Sequence, residues 1–123
     1  MTADPYERGL QIRREVLGDE YVDAALRRAE TSPFGTDWQR FVTEHCWDAV
    51  WGDATLPRAT RSLITVAMLA VLGRSHELGA HIRGAQRNGC TREEVRAVLI
   101  QAATYGGAPA GVEGFRVANE VWE

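Results

Sequence analysis

The stretch Ser62-Leu-Ile-Thr-Val-Ala-Met-Leu-Ala-Val-Leu72, which is followed by Gly73, decides the fold. Between positions 63 and 72 only Thr65 interrupts the apolar residues, and the run is too short to span a bilayer. A helix that is apolar nearly all round lies in the centre of a bundle or under a subunit interface. We therefore predict a buried helix that Pro57 opens and Gly73 ends.

Helix signals continue on both sides of this segment, and no alternating strand pattern, repeat or linker interrupts them. Caps, prolines and glycines mark the predicted ends. The predicted helices run from Pro5, which Asp4 caps, to Gly18; from a cap at Asp19 to about Thr31; from about Thr36 to Trp51; from Pro57 to Gly73; from about Ser75 to Asn88; from a capping box of Thr91 and Glu94 to Tyr105; and from Pro109 onward. About seven helices with short connections predict an all-α fold, in one domain that spans residues 1–123.

The composition of the 123 residues excludes several classes of function. The formal net charge is -3 and no broad basic field exists, so we expect no nucleic-acid partner. All 14 basic residues are arginines, and a chain without lysine cannot form a Schiff base with a keto substrate or with pyridoxal phosphate. The first ten residues do not resemble a signal peptide, which predicts a cytoplasmic protein without a membrane partner.

The apolar and aromatic content also bears on assembly. Four tryptophans and a helix that is apolar all round are too much for one small monomer to cover, so we expect a homo-oligomer.

The two cysteines and three histidines show no zinc spacing, and we expect no metal site. Cys46 beside a tryptophan predicts core packing. Cys90 precedes the cap of the sixth helix and Val95 lies at its fourth position, which predicts a hydrophobic staple. We expect Tyr105 to be a packed aromatic at a helix end, and Arg116 to be an ion-pair partner.

The segment Arg74-Ser-His-Glu77-Leu-Gly-Ala-His81 is the most informative for chemistry. Its charged positions are three and four residues apart, so Arg74, Glu77 and His81 share one helix face at the border of the core. One interpretation is an ordinary surface pair. The other is a pocket wall, in which Glu77 orients His81 and raises its basicity, so that the imidazole titrates near neutral pH.

Arg58 and Arg61 lie in the first turn of the fourth helix, where a cation opposes the helix dipole. Either a neighbouring carboxylate or a bound anion would compensate. In an antiparallel hairpin about Gly73, Arg61 lies about 16 Å along one arm and His81 about 9 Å along the other. The arginine could span that offset, or it could meet the histidine of another subunit.

At these residues the chain resembles the γ-carboxymuconolactone decarboxylases, and the resemblance covers essentially the whole chain in one register. It is carried by the segments Gly9-Leu-Gln-Ile-Arg-Arg-Glu-Val-Leu-Gly18, Arg61-Ser-Leu-Ile-Thr-Val-Ala-Met-Leu69, Glu77 to His81 with Arg87-Asn-Gly89, Thr91-Arg-Glu-Glu-Val95, Tyr105-Gly-Gly-Ala-Pro109 and Phe115-Arg-Val-Ala118. The related alkylhydroperoxidases carry a Cys-x-x-Cys-x-x-x-His motif. Arg74 and Glu77 stand at its two cysteine positions here, which favours the decarboxylase branch.

The resemblance implies an all-helical fold, a ring-like hexamer or a trimer, and no cofactor. It implies conversion of γ-carboxymuconolactone, a small anionic lactone, to the enol-lactone of 3-oxoadipate in the β-ketoadipate pathway of protocatechuate breakdown. The implied roles are proton donation by His81, which Glu77 orients, and carboxylate binding by Arg61 and Arg74. Trp47 and Trp51 would supply an apolar wall, as their residue type suits.

Two alternatives remain open. The chain departs from the family pattern at His45-Cys46, and glycines at positions 107, 111 and 114 make the last helix loose. A same-fold enzyme that acts on another anionic lactone or β-keto acid fits these departures. A non-catalytic oligomeric binding protein is the alternative from a different class.

Overall fold

The structure, a computed structural model, describes residues 4–123, and these residues form helices without any strand. The helices are α1 (Pro5–Leu17), α2 (Asp19–Glu30), α3 (Gly35–Phe41), a π-helix (Val42–Val50), α4 (Arg58–Leu72), α5 (Ser75–Arg87), α6 (Arg92–Gly106) and α7 (Ala108–Val121). The prediction of an all-α fold with about seven helices is therefore confirmed. No helix among residues 4–123 has both the length and the apolar character that a membrane span requires.

Packing divides the chain into two compact units. The N-terminal unit ends at Leu56 and the C-terminal unit begins at Pro57. A single domain over residues 1–123 stays a prediction.

Several predicted helix ends are confirmed. The side chain of Asp4 accepts a hydrogen bond from the amide of Glu7 at 2.9 Å, and Gly73 ends α4 in the left-handed conformation with φ of 72°. The predicted cap at Asp19 is wrong. Gly18, with φ of 87°, ends α1 and directly precedes α2, so Asp19 is already helical and no side chain caps that helix.

In the N-terminal unit, α1 packs along the π-helix. The backbone of α1 approaches so closely at Gly9 that a β-carbon there would overlap the carbonyl oxygen of Thr43. Arg8 reaches across the same contact to the carboxylate of Asp48 at 3.0 Å. The apolar spacing predicted one α-helix from Thr36 to Trp51, but nine residues of it are π-helical, because apolar spacing does not report which carbonyl accepts each backbone hydrogen bond.

A buried arginine stabilises the packing of α1 in this unit through hydrogen bonds. Arg13 is only 6% exposed, and its guanidinium donates to the side-chain oxygens of Gln39 at 2.6 Å and Thr43 at 3.4 Å. Burial lowers the pKa of Arg13 from its ordinary value. Cys46, predicted in the core, is exposed, because the π-helix buries its neighbour Trp47 instead.

The C-terminal unit has an aliphatic core that draws on all four of its helices. Its buried members are Val66, Ala70, Leu78, Ile82, Ala85, Cys90, Val95, Leu99, Ala102, Val117 and Val121. Cys90 and Val95 both belong to this core, as the predicted staple requires, and the thiol of Cys90 donates to the carbonyl of Ala59 at 3.4 Å. Tyr105, predicted to pack, is 85% exposed because the buried stripe of α6 runs through Val95, Leu99 and Ala102 and bypasses position 105.

Candidate functional site

Helices α4 and α5 form the antiparallel hairpin that the sequence predicts. The amide of Arg74, just beyond Gly73, donates to the carbonyl of Leu69 in α4 at 3.0 Å. At the other end of the hairpin, the side chain of Asn88 donates to the hydroxyl of Ser62 at 2.9 Å. The contact between Asn88 and Ser62 places the end of α5 beside the start of α4, and the register of the hairpin is counted from it.

Glu77 and His81 lie one turn apart on α5 but at different depths. Glu77 is in the first turn and is exposed, whereas His81 is largely buried beside the core residues Leu78 and Ile82. The shared face predicted from the spacing of these two residues therefore runs from solvent towards the core. His81 stands at the border of the core, where a pocket wall was predicted.

Burial dominates the electrostatics of His81. Desolvation lowers the pKa of His81 from 6.5 to about 4, and the negative charge of Glu77 opposes that effect without overcoming it. The prediction that His81 titrates near neutral pH is therefore wrong for the chain by itself. Its imidazole is neutral at pH 7, because a cation at this depth loses more hydration than one exposed carboxylate restores.

The two candidate arginines occupy different positions around the hairpin. Arg74 is the N-cap residue of α5, with φ of -96° and ψ of 75°, and it is exposed. The expectation that it shares the helix face with Glu77 is corrected, since it lies outside the helix. Arg61 is half-buried in the first turn of α4. That turn contains no acidic residue and has no side-chain cap, which leaves an N-terminus suited to an anion.

The register gives the separation of Arg61 and His81 along the hairpin. Counted from the Ser62–Asn88 contact, His81 lies seven residues back along α5, which corresponds to an axial offset of about 10 Å. The side chain of an arginine covers most of that distance. A small molecule with two anionic groups would span the remainder.

The two candidate tryptophans lie in the N-terminal unit. The indoles of Trp47 and Trp51 stack with ring centroids 5.0 Å apart and planes inclined by 27°. Trp47 is 5% exposed and Trp51 is half-buried, so Trp51 offers the larger surface to a ligand.

Two other sequence interpretations concern an ion pair and the groups that could bind a metal. Arg116 is an ion-pair partner, as predicted, because it contacts the carboxylates of Glu113 and Glu120. Within residues 4–123, no group of three or more histidine, cysteine, aspartate or glutamate side chains is placed to hold a metal ion.

Sequence reasoning missed Arg13, the most buried arginine of the N-terminal unit. A signal existed: Gly9, Arg13, Val16 and Leu17 are spaced as one face of α1, and all four are buried. The apolar residues of that face were sufficient to place Arg13 inside the unit.

Comparison with known proteins adds independent findings. The family model described as "Carboxymuconolactone decarboxylase family" matches residues 36–120. A 4-carboxymuconolactone decarboxylase of Acinetobacter baylyi is 38% identical over 118 residues, which cover 96% of this chain and 87% of the relative. A nitrosuccinic acid decarboxylase of Metarhizium robertsii is 39% identical over 115 residues, which cover 94% of this chain and 79% of the relative. A 4-carboxymuconolactone decarboxylase of Pseudomonas putida is 41% identical over 44 residues, or 35% of this chain.

Proposed function

The chain belongs to the carboxymuconolactone decarboxylase family and is a carboxy-lyase, and from that premise we propose that it decarboxylates γ-carboxymuconolactone to the enol-lactone of 3-oxoadipate. The observation that carries the proposal is the near full-length similarity to the Acinetobacter baylyi decarboxylase. The reaction belongs to protocatechuate breakdown in the β-ketoadipate pathway.

The substrate supplies its own electron acceptor. The bond between the departing carboxylate and the ring carbon breaks, carbon dioxide leaves, and the electron pair spreads through the ring double bond to the lactone carbonyl oxygen. A proton then adds to the carbon next to that carbonyl. One proton is consumed for each carbon dioxide released, so the protein has to bind a dianion, stabilise a dienolate and deliver one proton.

His81 is the residue we propose for proton delivery. Its imidazole is neutral at pH 7 in the chain by itself, because burial lowers its pKa to about 4. A dianionic substrate beside the ring adds negative charge at the same depth, which raises that pKa, and Glu77 acts in the same direction. His81 then takes up a proton as the substrate binds and gives it to the dienolate carbon.

Arg61 and Arg74 are the residues we propose for substrate binding. Arg61 combines a guanidinium with the amides of an α4 N-terminus that has no acidic residue in its first turn. Arg74 presents an exposed guanidinium at the N-cap of α5. Trp51 and Trp47, whose indoles stack within the N-terminal unit, stay the residues expected from their type to supply an apolar wall.

The similarity to a nitrosuccinic acid decarboxylase favours a second candidate substrate. Nitrosuccinate and γ-carboxymuconolactone share a succinate unit in which the reacting carbon carries an electron acceptor. The acceptor is a nitro group in one molecule and the unsaturated lactone in the other. A succinate whose second carbon bears such an acceptor is therefore the substrate class that we propose, with the lactone as its first member.

The test is carbon dioxide release from each of the two substrates by the full chain, beside two matched histidine variants. We expect His81→Asn to lose activity by about 100-fold or more, as removal of a general acid does. His76→Asn, on the same helix but exposed, is expected to keep wild-type activity. Release from nitrosuccinate alone would replace the lactone as substrate, and an active His81→Asn variant would remove the role of His81.

The pH dependence of the kinetic constants distinguishes two possibilities: His81 takes up its proton when the substrate binds, or it is already protonated beforehand. Because kcat/KM reports the ionisation of the free enzyme, we expect kcat/KM to fall about tenfold per pH unit above pH 5. The kcat value, which reports the complex, should fall only at higher pH, where the bound substrate no longer keeps His81 protonated. A kcat/KM value that is flat between pH 5 and 8 would contradict this role.

A further inference from the structure

A pocket lies within the C-terminal unit, between the first half of α6 and the second half of α7. It encloses about 220 Å³. Its lining combines two guanidiniums with two aromatic rings, which belong to Arg92, Arg96, Phe115 and Trp122. None of the described residues that line this α6/α7 pocket is among those proposed for decarboxylation, so the pocket has a chemistry of its own to explain.

The packing of α6 against α7 explains why a hollow forms at this level. The two helices form an antiparallel hairpin about Gly107. An added β-carbon at Gly114 would lie 2.9 Å from a methyl group of Leu99, so the helices pack closely there. One turn further from the connection, Ala118 comes opposite Arg96. A methyl group opposite an arginine that extends towards solvent leaves space between the helices, and this space is the α6/α7 pocket.

Hydrogen bonds hold the far wall of the pocket in place. The side chain of Gln86, near the end of α5, donates to the carbonyl of Glu123 at 2.6 Å and accepts from its amide at 3.3 Å. The amide of Trp122 donates to the carbonyl of Ala118 at 3.0 Å. The backbone on both sides of the Trp122 indole is therefore fixed, and a ligand would not have to order it.

Arg92 and Arg96 give the pocket its charge, and they reach the same side of α6 because they are one helical turn apart. None of the described residues that line the pocket is acidic. Glu93 lies 3.8 Å from Arg92 at an exposed position, where an ion pair contributes little. The carboxylate of Glu94 accepts instead from the amide of Thr91. An anion in the pocket would therefore meet two guanidiniums, whose planar geometry matches a carboxylate.

The aromatic residues and the volume define the rest of the ligand. Phe115 and Trp122 are half-buried and pack against the apolar core, which fixes the position of their rings. A third aromatic ring packs favourably on such surfaces, by offset stacking or edge to face. A cavity of about 150 Å³ holds one benzene molecule. The 220 Å³ of this pocket therefore accommodate one ring with a carboxylate and little more.

These observations together specify a ligand. We propose that the α6/α7 pocket binds a single-ring aromatic carboxylate. The carboxylate lies between the guanidiniums of Arg92 and Arg96, and the ring packs against the side chains of Phe115 and Trp122. Asn119, which also lines the pocket and is exposed, offers a polar group to a substituent of the ring. The site binds its ligand without reacting it, so it is independent of the proposed decarboxylation.

The test titrates the full chain with benzoate and follows the indole N–H signals of its four tryptophans by NMR. We expect the Trp122 signal, which a Trp122→Phe variant identifies, to shift with a Kd of about 1 mM, as suits a ligand of about nine non-hydrogen atoms. Cyclohexanecarboxylate keeps the charge but lacks the aromatic ring, and it should bind about fivefold more weakly. Benzamide keeps the ring but lacks the charge, and it should bind about tenfold more weakly.

Matched arginine variants locate the bound benzoate. Arg92→Gln and Arg96→Gln each remove one guanidinium at an exposed position, so circular dichroism is expected to show wild-type helicity. We expect each of them to weaken benzoate binding about tenfold. Arg83→Gln makes the same change of charge at an exposed position of α5, outside the pocket, and should keep the wild-type Kd.

The titrations can also contradict the site. The proposal would be wrong if wild type showed no saturable shift with benzoate, or if cyclohexanecarboxylate bound equally tightly. Equal weakening by Arg83→Gln and Arg96→Gln would mean that benzoate responds to the overall charge of the chain and not to a pocket. Loss of binding in Arg61→Gln, with none in Arg96→Gln, would place benzoate in the candidate active site instead and would overturn the proposal.

Discussion

The unit that ends at Leu56 and the unit that begins at Pro57 are stabilised by different kinds of contact. In the N-terminal unit, α1 meets the π-helix through the backbone at Gly9 and through the buried guanidinium of Arg13, which donates to Thr43. In the C-terminal unit, eleven buried apolar residues form one cluster. Backbone approach and buried charge tolerate little change, whereas aliphatic packing relaxes in part when a side chain shrinks. The first unit should therefore be the more sensitive to single small substitutions.

The largest effect is expected from Gly9→Ala. The added methyl group would overlap the carbonyl oxygen of Thr43 and lie 3.1 Å from the amide nitrogen of Asp48, and neither backbone atom can move without shifting the π-helix. We expect a loss of about 4 kcal/mol in the free energy of unfolding, at the upper end for a single substitution. Urea unfolding at fixed protein concentration measures it.

The matched control is Gly79→Ala, at a buried helical glycine of the C-terminal unit. There the new methyl group would meet only two side-chain methyls, of Val121 at 3.4 Å and Val117 at 3.5 Å, which is ordinary contact. Because alanine favours a helix by about 1 kcal/mol over glycine, we expect this variant to be as stable as wild type or slightly more so. Equal losses in the two variants would erase the proposed difference between the units.

The next largest effect is expected from Leu99→Ala in the aliphatic core. Leu99 is 1% exposed, and its removal leaves a cavity between α6 and α7. We expect a loss of about 3 kcal/mol in the free energy of unfolding. The control Val112→Ala, at an exposed position of α7, should stay within about 0.5 kcal/mol of wild type. A negligible loss for Leu99→Ala would show that the C-terminal unit does not depend on its apolar packing.

His81, which lies beside the same core, is expected to have a smaller effect on the free energy of unfolding, and this effect depends on pH. Burial lowers the pKa of His81 from 6.5 to about 4 in the folded chain. Below pH 6.5 the unfolded chain therefore binds a proton that the folded chain does not, and stability falls as the pH drops towards 4. The slope has a limit of about 1.4 kcal/mol per pH unit for one proton. Urea unfolding at pH 5 and 7 should show a steeper loss for wild type than for His81→Asn; equal losses would contradict the burial of the imidazole.

The sequence predicted the helices of both units, because caps, prolines and glycines act locally. It did not predict the π-helix, because that depends on how closely α1 approaches a distant segment of the chain, whereas the burial of Arg13 was missed although the spacing of α1 contained the signal. The prediction therefore failed in the N-terminal unit, where backbones approach closely, and not in the C-terminal unit, where apolar side chains pack. Apolar spacing reports which side of a helix is buried, but not the distance at which two backbones pack.

The predictions for the candidate site were likewise right where helix geometry determines the outcome, and wrong where tertiary packing determines it. The spacing of Glu77 and His81 correctly predicted a face at the border of the core, as helix geometry alone determines it. The direction of the pKa shift of His81 was predicted wrongly, since it depends on how far tertiary packing removes the ring from water. The exposed side of α4 was also missed, because a helix that is apolar all round gives no sign of which side the core leaves open.

The smallest effect is expected from a local polar contact of the C-terminal unit, the capping box of α6. The hydroxyl of Thr91 accepts from the amide of Glu94 at 3.0 Å, and the carboxylate of Glu94 accepts from the amide of Thr91 at 2.8 Å. Thr91→Ala removes one of these bonds at an exposed helix end, where water replaces it, so we expect a loss of about 1 kcal/mol. Glu94→Gln keeps an acceptor at the same place and should lose less. A loss for Thr91→Ala as large as that for Leu99→Ala would mean that a surface hydrogen bond stabilises this unit as strongly as its core does. The contrast with the N-terminal unit would then rest on the single backbone approach at Gly9.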